Sequence, residues 1–487
     1  MTRNELITKE QMIALFVETL AIDKIEENDD FFELGGNSIN AALLLYKIFK
    51  VTNISLSLVD VIENRTPLNI YNLVNAQKAT KTSFDYTLDD SIFCVPYPQR
   101  HIWLAEKMDD MGANYIVTFK ISLKSKEKIS YNKLKKSIFE TFENNTVYRI
   151  KIKLADDKLI AFKSANCITI IDETPDNSFL DSEVEEIVKK TTLNIEEGIN
   201  GKVIIKSDEI LFLLHHAVVD QASIPLFWNE VIERYYNTYS SRCINYYSCF
   251  ENNIVSKHYL EGLDFWKNEF KDFHLAQIKM NECPVNVGIR RTINLEKNKT
   301  ARLSEKHVIA FFLLLFYLSL QECDLQSSDE FIVGIPYTNR TNAIQAATQG
   351  FFVNMIPTRL KLGNMNFESQ IEYVLKYLEK ISKFQDISYE DIINGIKFND
   401  YKEKKDFLRY AFVYQSEMKL RGFTEDESLR MKEYHIGVPM FDITIYINNT
   451  DTFYEVMLET NKILNEKDID TFFVRFTNLY DILSNKL

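Results

Sequence analysis

The sequence contains no hydrophobic run of the length that a membrane-spanning helix requires. Its most apolar segment is Val308–Leu320, VIAFFLLLFYLSL, about thirteen residues where a bilayer needs about 20. The chain begins MTRNELITKEQ, without the basic and then apolar stretches of a secretory signal. We therefore expect no membrane association and no secretory leader, and the apolar segment predicts a buried helix.

Cysteine is scarce and dispersed. No two of the six cysteines form the closely spaced CxxC pair that is typical of zinc sites. They are Cys94, Cys167, Cys243, Cys249, Cys283 and Cys323. This pattern predicts no metal site and a location in the reducing cytoplasm.

Basic residues are fewer than acidic residues. The 57 Lys and Arg residues face 70 Asp and Glu residues, which gives a net charge of −13. No long block of one sign interrupts the chain, so an electrostatic grip on nucleic acid or on an anionic membrane is not expected. With 487 residues, 46% of them hydrophobic, the composition is typical of a globular protein of several domains.

Periodicity divides the chain into a small helical unit and a larger mixed unit. Apolar residues recur at helical spacing four times within residues 1–77, which predicts a four-helix bundle. Residues 78–92 are mostly polar and predict a linker. Strand-like and helical runs then alternate, and a similar mixture recurs after about residue 260. We therefore expect an α/β region of two lobes, 93–260 and 261–487, with a functional cleft between them.

Ser38 stands in the first unit, in the stretch DDFFELGGNSINAALLL. The two glycines give the backbone freedom before a predicted helix, and the serine falls at the start of that helix. One interpretation is an ordinary N-cap, in which the hydroxyl accepts a backbone N–H. The other is an attached phosphate, which the helix dipole and the free N–H groups would stabilise.

Two adjacent histidines end an apolar run in FLLHHAVVDQAS, where His215 and His216 are followed by Asp220. Successive side chains of a strand point to opposite faces, so the two imidazoles cannot both serve one cavity unless the strand has ended. We expect one of them to be structural and the other to be exposed. A structural interpretation of the whole group as hydrogen-bonded core residues stays open.

Both stretches resemble parts of nonribosomal peptide synthetases. FFELGGNSI resembles the attachment motif of peptidyl carrier proteins, and HHAVVDQ resembles the HHxxxDG motif of condensation domains. Further segments occur in the same order as in that family: YPQRHIWLAEK and FENNTVYRIKI before the histidine pair, and VGIPYTNR, QGFFVNMIPTRL and FDITIYI after it. The resemblance to a condensation domain therefore covers residues 93–487. It implies a four-helix carrier bundle followed by two lobes similar to chloramphenicol acetyltransferase.

The resemblance also implies roles for individual residues. Ser38 would carry covalent 4'-phosphopantetheine, and His216 would be the catalytic histidine that positions or deprotonates the acceptor. His215 and Asp220 would support it, with the aspartate held by an arginine such as Arg149 or Arg340. The same resemblance assigns Gln221, Ser223 and Asn354, with the two arginines, to the structure and walls of a tunnel between the lobes. Gln221 departs from the family, which has glycine there, and so predicts a small free acceptor.

The function that the resemblance implies is transfer of an acyl or peptidyl group from the carrier to an acceptor amine, which forms an amide. Alternatives are ester formation with a hydroxyl acceptor, epimerisation of the carrier-bound residue and non-catalytic recruitment of another enzyme. The GFFVNMIPTRL segment resembles the condensation form and argues against epimerisation. Expected partners are a phosphopantetheinyl transferase, an upstream synthetase module or an adenylation domain acting in trans, and an acceptor amine, free or on another carrier protein.

Overall fold

The computed structural model covers most of both units. It describes residues 6–20, 22, 24–34, 36, 38–52, 54, 56–76, 92–108, 115–125, 128–155, 158–173, 178–240, 244–250, 256–275, 288–297, 300, 302–363, 365–400, 403–404, 406–424, 426–436, 439–461 and 464–486. Almost all of the predicted linker lies outside these ranges.

The first unit is the four-helix bundle that the periodicity predicts. Its helices are α1 (Lys9–Leu20), α2 (Ser38–Thr52), α3 (Leu58–Asn64) and α4 (Pro67–Ala76). Phe16 and Phe31 lie fully buried at its centre with their rings edge to face, 5.5 Å apart. Ser57 caps α3 by accepting the N–H of Asp60, whose carboxylate in turn accepts the N–H of Ser57. The expected all-α carrier fold is confirmed.

The first lobe combines a six-stranded sheet, a smaller sheet and four helices. The strands are β1 (Ile92–Cys94), β2 (Ile116–Ser122), β3 (Ile150–Ala155), β4 (Lys158–Lys163), β5 (Ile168–Asp172), β6 (Gly201–Ile205) and β7 (Glu209–His215). The helices are α5 (Tyr97–Met108), α6 (Tyr131–Asn144), α7 (Asp181–Lys190) and α8 (Ser223–Tyr235). Strands β1, β4 and β3 form the smaller sheet, and β2, β7, β6 and β5 are consecutive in the larger one.

The second lobe also combines helices with a six-stranded sheet. Its helices are α9 (Lys257–Glu269), α10 (Glu305–Glu322), α11 (Ala343–Ala346), α12 (Phe367–Ser382), α13 (Tyr389–Gly395) and α14 (Glu466–Leu483). Its strands are β8 (Gly288–Glu296), β9 (Glu330–Tyr337), β10 (Asn354–Lys361), β11 (Tyr410–Ser416), β14 (Ile443–Asn449) and β15 (Phe453–Asn461), in the order β10-β9-β11-β14-β15-β8. Helix α10 contains the most apolar segment and is buried as predicted.

Two strands of the later sequence leave the second lobe and join the first. Strand β12 (Lys419–Arg421) pairs with β13 (Ser428–Tyr434), and β13 pairs antiparallel with β2, so that Met431 lies opposite Ile121. The expected division into 93–260 and 261–487 is therefore too simple. Its boundary also falls inside α9, whose Trp266 is buried in the core of the second lobe.

Strand β7 is apolar on both faces because both are covered. Phe212 and Leu214 belong to the main core of the first lobe, whereas Leu211 and Leu213 pack into a smaller core with α7. A strand that is buried on both sides reads as a continuous apolar run. The run ends with the strand at His215, and His216 begins a 3₁₀ turn that ends at Val218.

Two features are absent from the described residues. No helix there is both long and apolar enough to cross a bilayer. Within the same part of the chain, no group of three or more His, Cys, Asp or Glu side chains is arranged to hold a metal ion.

Candidate active site

His215 is the buried member of the histidine pair. Its side chain is 1% exposed, and its Nδ1 accepts the N–H of Ala217 at 3.2 Å. The hydrogen of the neutral ring is therefore on Nε2, which lies 3.3 Å from Oε2 of Glu106. His215 thus braces the turn that follows β7 through the hydrogen bond that Nδ1 accepts.

The side chain of His216 is half-buried. Successive side chains of a strand point to opposite faces, and the strand ends at His215, so a difference in burial between the two histidines is expected. Its Nδ1 lies 3.3 Å from the carbonyl oxygen of Val219. A carbonyl only accepts, so Nδ1 carries the hydrogen and Nε2 keeps a lone pair. Burial lowers the pKa of His216 below its usual value. At neutral pH the ring is therefore uncharged and Nε2 can accept a proton.

The turn that carries His216 is held from a second helix. Gln99 of α5 is fully buried and donates from Nε2 to the carbonyl oxygen of Ala217 at 2.8 Å. The backbone N–H of His216 donates to the carbonyl oxygen of Tyr115 at 2.8 Å. Sequence reasoning assigned no role to Gln99 or Glu106, although both lie within the motif YPQRHIWLAEK that carried part of the resemblance.

Asp220 is enclosed by hydrogen-bond donors. Its Oδ1 accepts from the backbone N–H of Ser223 and from Nη2 of Arg340, each at 2.8 Å, and also lies 2.8 Å from the Ser223 hydroxyl. Its Oδ2 accepts the N–H of Phe352 at 2.9 Å. A carboxylate whose oxygens are occupied in this way serves structure better than proton transfer.

Arg340 is the arginine that pairs with Asp220. Both side chains are 1% exposed. Nη1 of Arg340 donates to the carbonyl oxygens of Gln345 at 2.9 Å and Thr348 at 3.1 Å, and the guanidinium lies 4.1 Å from the ring centre of Phe352. The arginine therefore joins the first lobe at Asp220 to the loop between β9 and β10 in the second lobe.

Arg149 and Asn354, the two remaining candidates, each hold a neighbouring segment of backbone. Arg149 does not contact Asp220: its Nη1 donates to the carbonyl oxygen of Glu143 at 2.6 Å and lies 3.3 Å from the Glu143 carboxylate. Asn354 is buried and donates to the carbonyl oxygens of Gln385 and Ile387, while its Oδ1 accepts the N–H of Tyr389. Asn354 therefore holds a loop through its whole amide group.

Ser223 and Gly350 form two hydrogen bonds between the lobes. The Ser223 hydroxyl is fully buried, lies 2.7 Å from the carbonyl oxygen of Gly350 and accepts the N–H of Gly350 at 2.9 Å. Gly350 has φ 146°, and a Cβ there would lie 2.2 Å from the ring of Tyr246. Glycine is required at this position by both conformation and space.

Gln221, which replaces the glycine of the family motif, spans the lobes. Its Nε2 donates to Oε1 of Gln415 at 3.0 Å. Nε2 of Gln415 donates to Oδ1 of Asn448 at 2.5 Å and lies 3.4 Å from Oε2 of Glu433. Burial raises the pKa of Glu433 to about 7. The side chain of Gln221 therefore belongs to a polar cluster at the junction of the two lobes.

Ser38 is the first residue of α2. The loop before it is fixed by backbone bonds from Phe31 to Arg65 and from Gly36 to Phe31, at 2.8 and 2.9 Å. A Cβ on Gly36 would lie 2.3 Å from the Phe31 ring. Gly36 thus permits close packing, which differs from the conformational freedom expected of it. A serine at the N-terminus of a 15-residue helix fits an attached phosphate, since free N–H groups are concentrated there.

The carrier unit packs against the second lobe beside the active-site loop. Ala343 of α11 is fully buried in the core of the carrier unit, and Asn342 forms an antiparallel bridge with Ser57. Lys306 of α10 pairs with Glu33, which precedes Ser38 in the chain. The same short loop thus carries Arg340 and touches the unit that bears Ser38.

The first unit is a helical bundle with a serine at a helix start, and the second is a two-lobed α/β unit with a histidine at the lobe junction. This combination defines a carrier domain followed by a domain of the acyltransferase type. Comparison with protein families agrees. The model of the condensation domain matches residues 92–485, and that of the phosphopantetheine attachment site matches residues 10–74. The chain belongs to the condensation-domain family, and its first unit is a phosphopantetheine-binding carrier.

The chain is also similar, at low identity, to several known proteins. The chain is 20% identical to bacitracin synthase 3 of Bacillus licheniformis over 99% of its length, and 20% identical to tyrocidine synthase 2 of Brevibacillus parabrevis over 92%. It spans only 8% and 13% of those proteins. The starter condensation domain of rhizomide synthetase superposes with a TM-score of 0.68 at 13% identity, over 83% of this chain and 97% of that one.

Proposed function

We propose that the chain is a carrier–condensation didomain of a nonribosomal peptide synthetase, which transfers an acyl or peptidyl group from its carrier to an acceptor amine. The observation that carries this proposal is the geometry of His216. Its Nδ1 is anchored on Val219, its Nε2 is left with a lone pair, and its turn is supported by the buried Asp220–Arg340 pair.

Ser38 is the proposed attachment site. Phosphopantetheine on this serine supplies a flexible arm and a thioester that activates the acyl group. The protein presents that arm from the start of α2, next to a loop that Gly36 and Phe31 hold close to the bundle. Because the thioester is already activated, the remaining task of the second domain is orientation and proton management.

His216 performs that task in our proposal. The acceptor nitrogen forms the C–N bond, the C–S bond breaks, and the proton of the acceptor passes by way of Nε2 to the leaving sulfur. The lowered pKa of His216 keeps the imidazole neutral at pH 7, as proton acceptance requires. Asp220 takes no proton, because Arg340, Ser223 and Phe352 occupy its oxygens.

The partners follow from this assignment. A phosphopantetheinyl transferase would modify Ser38, and an upstream synthetase module or an adenylation domain acting in trans would load it. The acceptor would be an amine, and we propose the cytoplasm as the compartment. The contact of Gln221 with Gln415 supports the expected preference for a small free acceptor, because the side chain fills space that a glycine would leave open.

The test uses the full chain, a phosphopantetheinyl transferase and octanoyl-CoA, followed by intact-mass analysis. One octanoyl-pantetheine arm should be added to the parent and none to Ser38→Ala. With butylamine present, the parent should release N-butyloctanamide, and His216→Ala should slow that release at least 100-fold. The matched control is His274→Ala, an exposed histidine of the second lobe, which should behave as the parent.

Four outcomes would count against the proposal. Modification of Ser38→Ala would move the attachment site, and equal release by His216→Ala would remove the catalytic role of that histidine. Release of butyl octanoate from butan-1-ol in place of the amide would favour ester formation, and an unreleased donor with every acceptor would favour recruitment without catalysis.

A further inference from the structure

A polar cluster at the lobe junction is not used by the proposed transfer. It comprises Gln221 just before α8, Gln415 near the end of β11, Glu433 on β13, Asn448 on β14 and Glu455 on β15. Gln415 contacts three of the other members, and Nδ2 of Asn448 donates to Oε1 of Glu455 at 2.9 Å. Four strands and the segment before α8 thus bring three amides and two carboxylates together at the lobe junction.

The negative charge of this cluster is not neutralised by the described side chains. Within that part of the chain, Glu433 has a single hydrogen bond, from Gln415 at 3.4 Å, and neither Glu433 nor Glu455 has a basic partner. Burial of a carboxylate without a cation is unfavourable, and it is the reason that the pKa of Glu433 rises to about 7. The site is therefore poised to accept a cation.

The other titratable groups of the same sheet face do not supply that cation. They are Arg290 on β8, His435 after β13, Tyr446 on β14 and Glu459 on β15. Arg290 pairs with Glu459, which also accepts from Tyr446 at 3.2 Å. Burial, with a smaller effect of Arg290, lowers the pKa of His435 to about 4, so its ring is neutral at pH 7.

The strand register places the cluster within reach of His216. Glu433 lies opposite Phe119, which lies opposite Phe212, and His216 follows Phe212 by four residues. With about 3.3 Å per residue along a strand and about 4.8 Å between strands, the Cα atoms of Glu433 and His216 are about 16 Å apart. An acceptor that engages both residues would have to extend along this distance.

We propose that this cluster binds the remote ammonium group of a diamine acceptor, with Glu433 as the residue that pairs with the ammonium. The inference rests on the proposed function, because the free amine at the other end of the acceptor reaches His216. Gln221 donates to Gln415, which in turn contacts Glu433. Glu433 is a specificity-determining residue that the reaction itself does not consume.

The test measures binding to the full chain by calorimetry, without any donor. The probes are butane-1,4-diamine and butane-1,4-diol, which match in length and differ in charge. At pH 8 the parent should bind the diamine at least ten-fold more tightly than the diol, and Glu433→Gln should lose that preference. Glu368→Gln, which removes an exposed carboxylate on α12, is the matched control and should retain it.

The pH dependence supplies a second readout. Below pH 6 Glu433 is protonated, so the preference of the parent should disappear, whereas Glu433→Gln should show no such change. Equal affinity for the two probes, absence of binding, or an unchanged preference in Glu433→Gln would each overturn the inference.

The transfer assay separates this inference from the proposed function. If the octanoyl amide forms equally from butylamine and butane-1,4-diamine, transfer stands and the ammonium site is wrong. If the diamine binds selectively but no amide forms with either amine, the ammonium site stands and the transfer function is wrong.

Discussion

Replacement of Asp220 by asparagine should destabilise the protein by about 3–5 kcal/mol, because it leaves the charge of Arg340 buried without a counterion. The two side chains are 1% exposed and 2.8 Å apart. The asparagine amide would also turn a donor toward one of the donors that surround Asp220, which include the N–H groups of Ser223 and Phe352. Domains are commonly stable by only about 5–15 kcal/mol, so the expected loss is a large fraction of the total.

The assay is urea unfolding at pH 7, followed by tryptophan fluorescence. Trp103 and Trp228 lie in the core of the first lobe and Trp266 lies in the core of the second, so the fluorescence reports on both cores. Ser223→Ala gives a milder perturbation of about 1–3 kcal/mol, since it removes one buried hydroxyl partner of Arg340 and Gly350. It keeps the prediction testable if Asp220→Asn fails to fold.

Glu330→Gln is the matched control. Glu330 pairs with Arg359, a second buried arginine of the second lobe, at 2.7 Å. This variant should also lose stability, but only Asp220→Asn should alter the imidazole NMR signals of His216. If Asp220→Asn unfolds within 1 kcal/mol of the parent, or if Glu330→Gln changes the His216 signals equally, the support that we assign to Asp220 is wrong.

Three further predictions concern single positions. Glu433→Gln should stabilise the protein at pH 8 by about 1–2 kcal/mol in urea unfolding, with no gain near pH 4. The raised pKa of the Glu433 carboxyl makes folding less favourable as pH rises from about 4.5 to about 7, and the glutamine removes that effect. A gain that persists at pH 4 would contradict this. Gly36→Ala should lower the thermal midpoint of the carrier helices seen by circular dichroism, since the new Cβ meets Phe31 at 2.3 Å, and an unchanged midpoint would contradict that contact. Ala343→Arg should expand the molecule in small-angle scattering by removing a fully buried contact with the carrier, and an unchanged radius of gyration would show that the contact does not hold the carrier.

The elements with strong local patterns could be predicted from the sequence. The continuous apolar run before His215 forms a strand that is buried on both faces, and the helical run of α10 forms a buried helix. The pairing of β13 with β2 could not be predicted. The alternation in SLRMKEY is compatible with either lobe, and the partner strand lies about three hundred residues earlier. Local periodicity specifies which face is buried, but not which sheet a strand joins.

The candidate site was likewise only partly predictable from the sequence. Motif resemblance indicated His216, Asp220 and two arginines, but the choice of Arg340 depends on a contact between residues 120 positions apart. Gln99 and Glu433 were not singled out. A buried glutamine and a half-buried glutamate have no local signature, and their environments exist only after the strands and helices of both lobes have packed.

The loop from Arg340 to Phe352 connects the carrier to the active site within one short segment. Arg340 holds the carbonyl oxygens of Gln345 and Thr348, so α11 cannot shift without disturbing the guanidinium. The same guanidinium holds Asp220, and Ala343 of α11 is enclosed by the carrier core. Since buried hydrogen-bonded clusters are rigid, the position of the carrier and the support beneath His216 depend on the same loop.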